Sequence, residues 1–166
     1  QYAEAAKCFE EVAFLKEGLG NDAEEDYQEA AHCYSFVDKK KSVEVLKAMV
    51  RKYENEGKFE KAGESYLKVG QYFEEEKDFA TAVIFFEKAA DAYKSSRTSK
   101  SKERESRLKF ADLSCIHGLG TWKDFIDIYE SLGKQYLLEP MLKYSAKEMF
   151  FKIVCLYALY EVSINF

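Results

Sequence analysis

Apolar and small residues recur in this chain at the spacing of one face of an α-helix. Positions i, i+3, i+4, i+7, i+10, i+11 and i+14 follow this pattern in segments that begin at Phe59, Phe79 and Trp122, and a fourth segment from Tyr2 follows it as far as Lys16. A period near 3.6 residues is typical of helices that bury one side. Small residues beside aromatic ones favour stacked helix pairs, so the pattern predicts an all-α solenoid.

Eight helices are expected, because glycine, asparagine and aspartate mark the junctions between the apolar stripes. Their expected ranges are 1–17, 22–37, 40–56, 58–76, 78–95, 103–118, 121–136 and 140–160. About four antiparallel pairs would form a right-handed superhelix like that of tetratricopeptide repeats, within one helical-repeat domain over residues 1–166. Corresponding template starts at Tyr2, Val43, Phe79 and Trp122 lie 36 to 43 residues apart, which is longer than the 34 residues of that repeat.

One region departs from the pattern, between Lys94 and Arg107. Serines alternate there with basic and acidic side chains, and such residues are easily solvated and bury little surface. The composition predicts a mobile connecting loop. A basic patch for an acidic partner is the alternative interpretation.

Charge and cysteine content narrow the class of protein. The net charge of -5 argues against a nucleic-acid binder, which needs a basic surface facing the phosphates. No apolar run approaches the ~18 residues of a transmembrane helix. The cysteines at positions 8, 33, 115 and 155 lie far apart in helical patterns, which predicts reduced, mostly buried thiols in a cytoplasmic protein.

The sequence offers no constellation for catalysis or for a cofactor. The two histidines, His32 and His117, are not accompanied by a signature that combines a nucleophile, a base and an orienting group. The phosphate-binding G-x-x-x-x-G-K-[ST] motif and the C-x2-C pairs of zinc sites are missing. We therefore expect a binding protein with no enzymatic activity, no metal and no other cofactor.

A family resemblance appears in the segment LKYSAKEMFFK, from Leu142 to Lys152. It closely resembles the corresponding segment of the soluble NSF attachment protein (SNAP) family, of the alpha or beta type rather than gamma. The stretches YQEAAHCYSFVD from Tyr27 and IDIYESLG from Ile126 also match, in the family's order. The turn at Gly57, Lys58 and Phe59 is similar to the family's turn of glycine, basic residue and phenylalanine.

The resemblance implies an adaptor that is cytoplasmic and peripheral on membranes. Such an adaptor binds assembled SNARE complexes and recruits the AAA ATPase NSF, which disassembles them. The implied SNARE-binding residues are Lys58, Lys109 and Lys147, and Lys143 is added as a candidate because it lies four residues before Lys147. Lys143 and Lys147 share one stripe of the last helix, beside an expected core face of Leu142, Ala146, Met149, Phe150, Ile153, Val154 and Tyr157.

Departures from the family pattern predict weaker binding of SNARE complexes, or binding of a differently charged bundle. Phe36, Glu64 and Glu105 stand where the resemblance leads us to expect basic residues. The family's apolar, membrane-contacting loop would lie before Gln1, and its acidic region that engages and stimulates NSF would lie after Phe166. A fragment of this extent is expected to bind SNAREs weakly and not to stimulate the ATPase.

Two other functions fit a helical solenoid. One is a tetratricopeptide-like peptide receptor, such as a co-chaperone that binds an acidic tail through a carboxylate clamp. The other is a scaffold subunit that uses its many tyrosines and phenylalanines for permanent assembly. A clamp requires a cluster of lysine, asparagine and arginine on successive inner helices, and the sequence shows no convincing one.

Overall fold

The computed structural model describes residues 1–21 and 23–164, except for the side chains of 160 and 162–164. In these ranges the chain forms eight α-helices, one short 3-10 helix and no strand, which confirms the all-α prediction. The α-helices are α1 Tyr2–Gly18, α2 Glu24–Ser35, α3 Lys39–Asn55, α4 Phe59–Glu75, α5 Phe79–Ser96, α6 Lys100–Ile116, α7 Trp122–Leu137 and α8 Lys143–Ile164, with the 3-10 helix at Pro140–Leu142. The handedness of the superhelix remains a prediction.

Side-chain caps fix the start of three helices. The carboxylates of Asp38 and Asp78 each accept a hydrogen bond from the backbone N–H three residues later, at 3.1 and 3.2 Å. Thr121 and Asp124 form a reciprocal capping box at the start of α7. The hydrogen bonds from Thr121 lower the pKa of the Asp124 carboxyl. Such caps stabilise a helix by about 1 kcal/mol each.

The chain divides into two compact units, and the first covers Gln1–Glu103. Its core is built from the recurring template, whose small positions on α4 receive aromatic rings from α5. A Cβ placed on Gly63 would lie 2.8 Å from Cε1 of Tyr93, and one on Gly70 would lie 2.8 Å from Cε1 of Phe86. Both rings are fully buried. Glycine at these positions therefore lets two antiparallel helices approach closely.

Alternate helices of the first unit are joined by long side chains. Lys52 of α3 binds Glu17 of α1 at 2.9 Å, and Lys61 of α4 binds Glu24 of α2. Lys47 of α3 extends over a ring of α5. The odd-numbered helices α1, α3 and α5 therefore form one layer of this unit, and α2 and α4 form the other.

The second unit covers Arg104–Phe166 and repeats the packing of a ring on glycine. A Cβ on Gly133 of α7 would lie 3.0 Å from Cζ of Phe150 on α8. The surrounding core consists of Ala111, Phe125, Tyr129, Leu132, Tyr136, Ala146, Met149 and Leu156. The template segment of α7 therefore forms the centre of this unit, as predicted.

A polar contact joins α6, α7 and α8 within the second unit. The carboxylate of Asp112 accepts a hydrogen bond from the Tyr129 hydroxyl at 2.7 Å and from the Lys152 ammonium at 2.8 and 2.9 Å. Burial and the hydrogen bond to Asp112 raise the pKa of Tyr129, so its phenol remains a donor. One carboxylate therefore positions residues from two other helices.

The prediction of a mobile loop from Lys94 to Arg107 is wrong. Helix α5 continues to Ser96, α6 begins at Lys100, and only residues 97–99 separate them. The serine hydroxyls do not interrupt the helix, because Ser95 and Ser96 donate back to carbonyls of their own helix. The reversal occurs at Arg97, whose left-handed φ of 57° ends α5.

The prediction of mostly buried cysteines is also wrong. Cys33 is buried and Cys115 is partly buried, whereas Cys8 and Cys155 are exposed. All four are free thiols. An apolar helical pattern identifies a face but does not establish that another element covers it.

The expected core face of α8 is wrong at two positions. Val154 and Tyr157 are exposed, and Leu156 is buried in their place. The buried residues Ala146, Met149 and Leu156, with the partly buried Ile153, recur at intervals of three and four residues. This face is narrower than the predicted one. Within the described residues, no helix is long and apolar enough to cross a bilayer.

Candidate protein-interaction site

Lys58 lies at the turn between α3 and α4. Gly57 has a left-handed φ of 70°, which allows the chain to reverse, and the Lys58 N–H donates to the Tyr53 carbonyl at 2.8 Å. The Lys58 ammonium lies 2.8 Å from Glu56 and 3.8 Å from Glu24. Two carboxylates therefore reduce the positive field of this candidate.

Glu24 of α2 binds more than one basic side chain. Its side chain is only 12% exposed, and its carboxylate contacts Lys61 as well as Lys58. The Gln28 side-chain amide donates to it at 3.4 Å. The ion pair positions the candidate lysine, but an acidic partner would have to compete with Glu24 for it.

Lys109 occupies the middle of α6, in the second unit, and is partly exposed. The neighbouring Leu108 and Phe110 pack against the core, and Ala111 is fully buried. The stem of Lys109 therefore emerges close to the core.

Lys143 and Lys147 are exposed on the first two turns of α8. Their spacing of four residues places them on one side of the helix, and Ala146 and Met149 of the same turns are fully buried. The Lys147 ammonium lies 5.2 Å from the ring centroid of Tyr144. Among the described residues, neither lysine lies within 4.0 Å of a carboxylate. These two residues present the least neutralised positive charge of the four candidates.

The four candidates are divided between the two units of the chain. Lys58 belongs to the first unit and the other three belong to the second. Within the second unit, the ion pair of Asp112 with Lys152 joins α6 to α8. Lys109 precedes Asp112, and Lys147 precedes Lys152, so both candidates lie on the N-terminal side of this contact.

Glu64, one of the three departures, is neutralised by a residue that sequence reasoning missed. Lys102 of α6 binds Glu64 at 2.6 Å and Glu60 at 3.0 Å. These bonds raise the pKa of Lys102, so it remains charged. Lys102 lies 38 residues from Glu64, and no local pattern predicts a pair at such a separation.

The other two departures from the family pattern, Phe36 and Glu105, give surfaces of different chemistry. Phe36 is exposed, and its ring stacks on Tyr2 with 4.9 Å between centroids and contacts the edge of His32 at 5.0 Å. Glu105 is exposed on α6. The first position therefore offers an aromatic contact and the second a negative charge.

A groove between α2, α3 and α4 is the candidate site for a carboxylate clamp. It has a volume of about 480 Å³ and includes Lys39 and Lys68 in its lining. Lys39 is already bound to Glu75 at 3.3 Å and to Glu76 at 3.4 Å. Lys68 therefore remains as the lysine of this groove that could bind a terminal carboxylate, which is less than a clamp requires.

The described residues contain no group of three or more His, Cys, Asp or Glu side chains arranged to hold a metal ion. Burial and the nearby Asp112 carboxylate raise the pKa of the Cys115 thiol, which disfavours its nucleophilic thiolate form. The surface of this protein offers charge and shape for recognition instead.

Comparison with known proteins decides the family. The family described as soluble NSF attachment protein, SNAP, matches residues 1–163 of the chain. The chain therefore belongs to the SNAP family. This assignment confirms the resemblance noted in the segment from Leu142 to Lys152.

Individual SNAP relatives are similar to this chain at modest identity. The alpha-soluble NSF attachment protein of Vitis vinifera is 31% identical over 127 residues, which cover 76% of this chain and 43% of the relative. The beta-soluble NSF attachment protein of Bos taurus is 29% identical over 133 residues, or 80% of this chain and 44% of the relative. The vesicular-fusion protein SEC17 of Komagataella phaffii is 25% identical over 159 residues, which cover 93% of this chain and 53% of the relative.

The chain thus spans about half the length of the SNAP relatives that it matches. Relatives named alpha- and beta-soluble NSF attachment protein are both similar to this chain. Its assignment to the alpha or beta type rather than to the gamma type remains a prediction. The exposed lysines of α8 lie in the segment whose resemblance first indicated this family.

Proposed function

We propose that this chain is an adaptor that binds assembled SNARE complexes and recruits an NSF-type AAA ATPase for their disassembly. The observation that carries the proposal is the SNAP family match over residues 1–163. A relative named as a vesicular-fusion protein supports a role in vesicle fusion. In this role the adaptor is not an enzyme, because hydrolysis of ATP belongs to the partner.

Electrostatic complementarity is the proposed basis of SNARE recognition. A four-helix SNARE bundle is a rod with an acidic surface, and Lys143, Lys147 and Lys109 would face it. Contacts between exposed charges contribute only about 0.2–1 kcal/mol each. Useful affinity therefore requires several such contacts or several copies of the adaptor on one bundle.

The proposed subcellular localisation follows from the same role. An adaptor for SNARE complexes works in the cytoplasm and associates with membranes peripherally through its partners. Binding should weaken as salt is raised, because exposed charges are screened beyond about 10 Å at 0.1 M ionic strength.

The direct test measures retention of the chain by immobilised SNARE complex at low and moderate salt, beside the separate SNARE subunits. We expect salt-sensitive retention by the assembled complex and not by the subunits. Recruitment of the ATPase is measured next, by adding NSF to SNARE complex that has retained either this chain or a version of it extended at both termini. No retention at low salt would contradict the proposal.

Charge-reversal variants locate the surface. The variant Lys109→Glu with Lys147→Glu should reduce retention several-fold. Because Lys109 is partly buried, the fully exposed pair Lys143→Glu with Lys147→Glu is a second variant, and circular dichroism checks the helical content of both. The matched control is Lys123→Glu with Lys134→Glu on α7, two exposed lysines with the same change in charge. Equal loss of retention in the control would show that Lys109, Lys143 and Lys147 do not form the SNARE-binding surface.

A further inference from the structure

Three aromatic rings form a row between α4 and α5 in the first unit. Phe85 stacks on Phe73 with 5.7 Å between centroids and an interplanar angle of 3°. On its other side Phe85 contacts Tyr66, with centroids 6.1 Å apart. Tyr66 and Phe73 are seven residues apart on α4, so the row extends over two helical turns, about 10 Å.

Two exposed lysines lie over this row, one from α3 and one from α5. The Lys47 ammonium is 5.2 Å from the Phe85 centroid and 5.5 Å from that of Phe73. The Lys88 ammonium is 5.5 Å from the Phe85 centroid and 5.9 Å from that of Tyr66. Both lysines therefore share the central ring, and they lean toward opposite ends of the row.

The charges of these two lysines are not neutralised within the chain. Among the described residues, no carboxylate lies within 4.0 Å of either ammonium group. Lys52, which is also on α3, binds Glu17 instead. In a protein of net charge -5, two such lysines from different helices over one ring form a local positive site.

The rings also hold the lysines in place before any partner binds. A cation over an aromatic ring gains roughly 0.5–1 kcal/mol at an exposed site, and the aliphatic stems pack on the same surface. A long side chain that is already ordered loses less conformational entropy on binding. The arrangement is therefore better suited to recognition than two lysines extended into water.

We propose that Lys47 and Lys88 bind a pair of carboxylates on an acidic helical segment of a partner protein. Each ammonium group lies about midway between the central ring and one end ring, so the two charges are roughly 5 Å apart along the row, and a partner helix presents that spacing between residues i and i+4. Two separated point charges suit two carboxylates better than a single phosphate group. The rings are largely covered, so charge rather than apolar contact determines the specificity.

This site lies on a different surface from the SNAP-family candidate in the same unit. Lys58 lies at the turn before α4 and contacts Glu24 of the α2 and α4 layer. Lys47 and Lys88 belong to the layer of odd-numbered helices. The proposal therefore adds a second interaction surface and does not depend on SNARE binding by the first.

The test uses the chain with its lysines reductively methylated with ¹³C, so that each lysine gives an NMR signal. The probe is a stapled, alanine-based helical peptide with glutamates at i and i+4. Two control peptides carry glutamines at those positions, or glutamates at i and i+2 on different sides of the helix. We expect the i and i+4 peptide to shift the signals of Lys47 and Lys88 more than those of other lysines.

Variants measured by fluorescence anisotropy with the unmethylated chain test the same assignment. Lys47→Glu with Lys88→Glu should weaken binding of the i and i+4 peptide about fivefold or more. The matched control is Lys40→Glu with Lys94→Glu, two exposed lysines on the same helices with the same change in net charge, and it should change affinity less than about twofold. Phe85→Leu keeps both charges and removes the shared ring, so it should weaken binding by a smaller factor.

Three outcomes would overturn the proposal. The first is absence of binding by the i and i+4 peptide at low salt. The second is equal loss of affinity in the two double variants, since this would indicate an effect of net charge only. The third is an equal or larger shift of the Lys47 and Lys88 signals with inorganic phosphate, which would assign the site to phosphate instead of paired carboxylates.

Discussion

The ring of Tyr93 lies directly against the Cα of Gly63. A Cβ at this position would be 2.8 Å from Cε1 and 2.9 Å from Cδ1 and Cζ of the ring. Real Cβ atoms do not approach that closely, and Tyr93 is too buried to move away. Contact between α4 and α5 at this point therefore depends on the absence of a side chain.

Gly63→Ala should destabilise the chain. Alanine is favoured over glycine inside a helix by about 1 kcal/mol, but overpacking a buried contact costs about 1–3 kcal/mol. We expect a net loss of up to about 2 kcal/mol in the free energy of unfolding, measured by urea denaturation. Gly18→Ala is the control, because no atom lies within 4 Å of its added Cβ. Equal stability of the two variants would contradict the close contact.

Glu10 should make stability depend on pH. It accepts a hydrogen bond from the Tyr34 hydroxyl at 2.6 Å and lies 3.2 Å from the Lys41 ammonium. The bond from Tyr34, with Lys41, lowers the pKa of Glu10 below its ordinary 4.5, although burial opposes the shift. A lowered pKa in the folded state stabilises the protein above the unfolded value, and this contribution is lost as pH falls through the folded value.

Glu10→Gln should therefore reduce stability at pH 7 by no more than about 1 kcal/mol, because the site is partly exposed to solvent. The difference from the parent chain should shrink below about pH 4.5, in thermal or urea unfolding at pH 7, 5 and 3. Glu11→Gln, at an exposed neighbouring position, serves as the comparison. A difference for Glu10→Gln that stays constant with pH would rule out the charge as its cause.

Glu56→Gln should strengthen binding through Lys58. Glu56 lies 2.8 Å from the Lys58 ammonium, and removal of its charge leaves Glu24 to neutralise the lysine. We expect about a twofold gain in affinity for assembled SNARE complex at low salt. Glu29→Gln makes the same change in charge at an exposed site on α2 and controls for net charge. An equal gain in both variants would show that Lys58 is not involved.

The four thiols should react in a definite order. Cys8 and Cys155 are exposed, Cys115 is partly buried with a raised pKa, and Cys33 is buried. Brief treatment with iodoacetamide at pH 8, followed by peptide mass spectrometry, should label Cys8 and Cys155 first and Cys115 more slowly. Cys33 should require unfolding. Early labelling of Cys33 in the folded chain would contradict its position in the core.

Local patterns in the sequence predicted most of the fold. The template identified Gly63 and Gly70 as small core positions, and the structure places a ring on each. Some junctions between helices were also predictable, since aspartates were expected there and Asp38 and Asp78 each cap the helix that follows. These features depend on residues a few positions apart, which a single sequence displays.

Features that depend on distant residues were not predictable. Nothing near Lys102 indicates that it binds Glu60 and Glu64 of α4, and this binding anchors a segment predicted to be a loop. In α8, apolar residues occupy several sides of the helix between Ile153 and Leu159. Periodicity there could not distinguish the buried Leu156 from the exposed Val154.

The same limit applies to the interaction sites. The sequence supplied Lys143 and Lys147 because they lie in one short segment with a family resemblance. Lys47 and Lys88 lie 41 residues apart, and only the packing of α3 and α5 around Phe85 brings them over one ring. Resemblance finds residues that a family shares, whereas this pair depends on tertiary contacts.

The two glycines of α4 also determine how α5 aligns against it. Gly63 and Gly70 are separated by seven residues, as are their partners Phe86 and Tyr93. Sliding one helix by two turns would keep a single ring on a glycine and move the other ring to residue 56 or 77, beyond the ends of α4. A shift of one residue would misplace both rings. The two contacts together therefore fix the register of the hairpin, since both rings meet a glycine in only one alignment of the two helices.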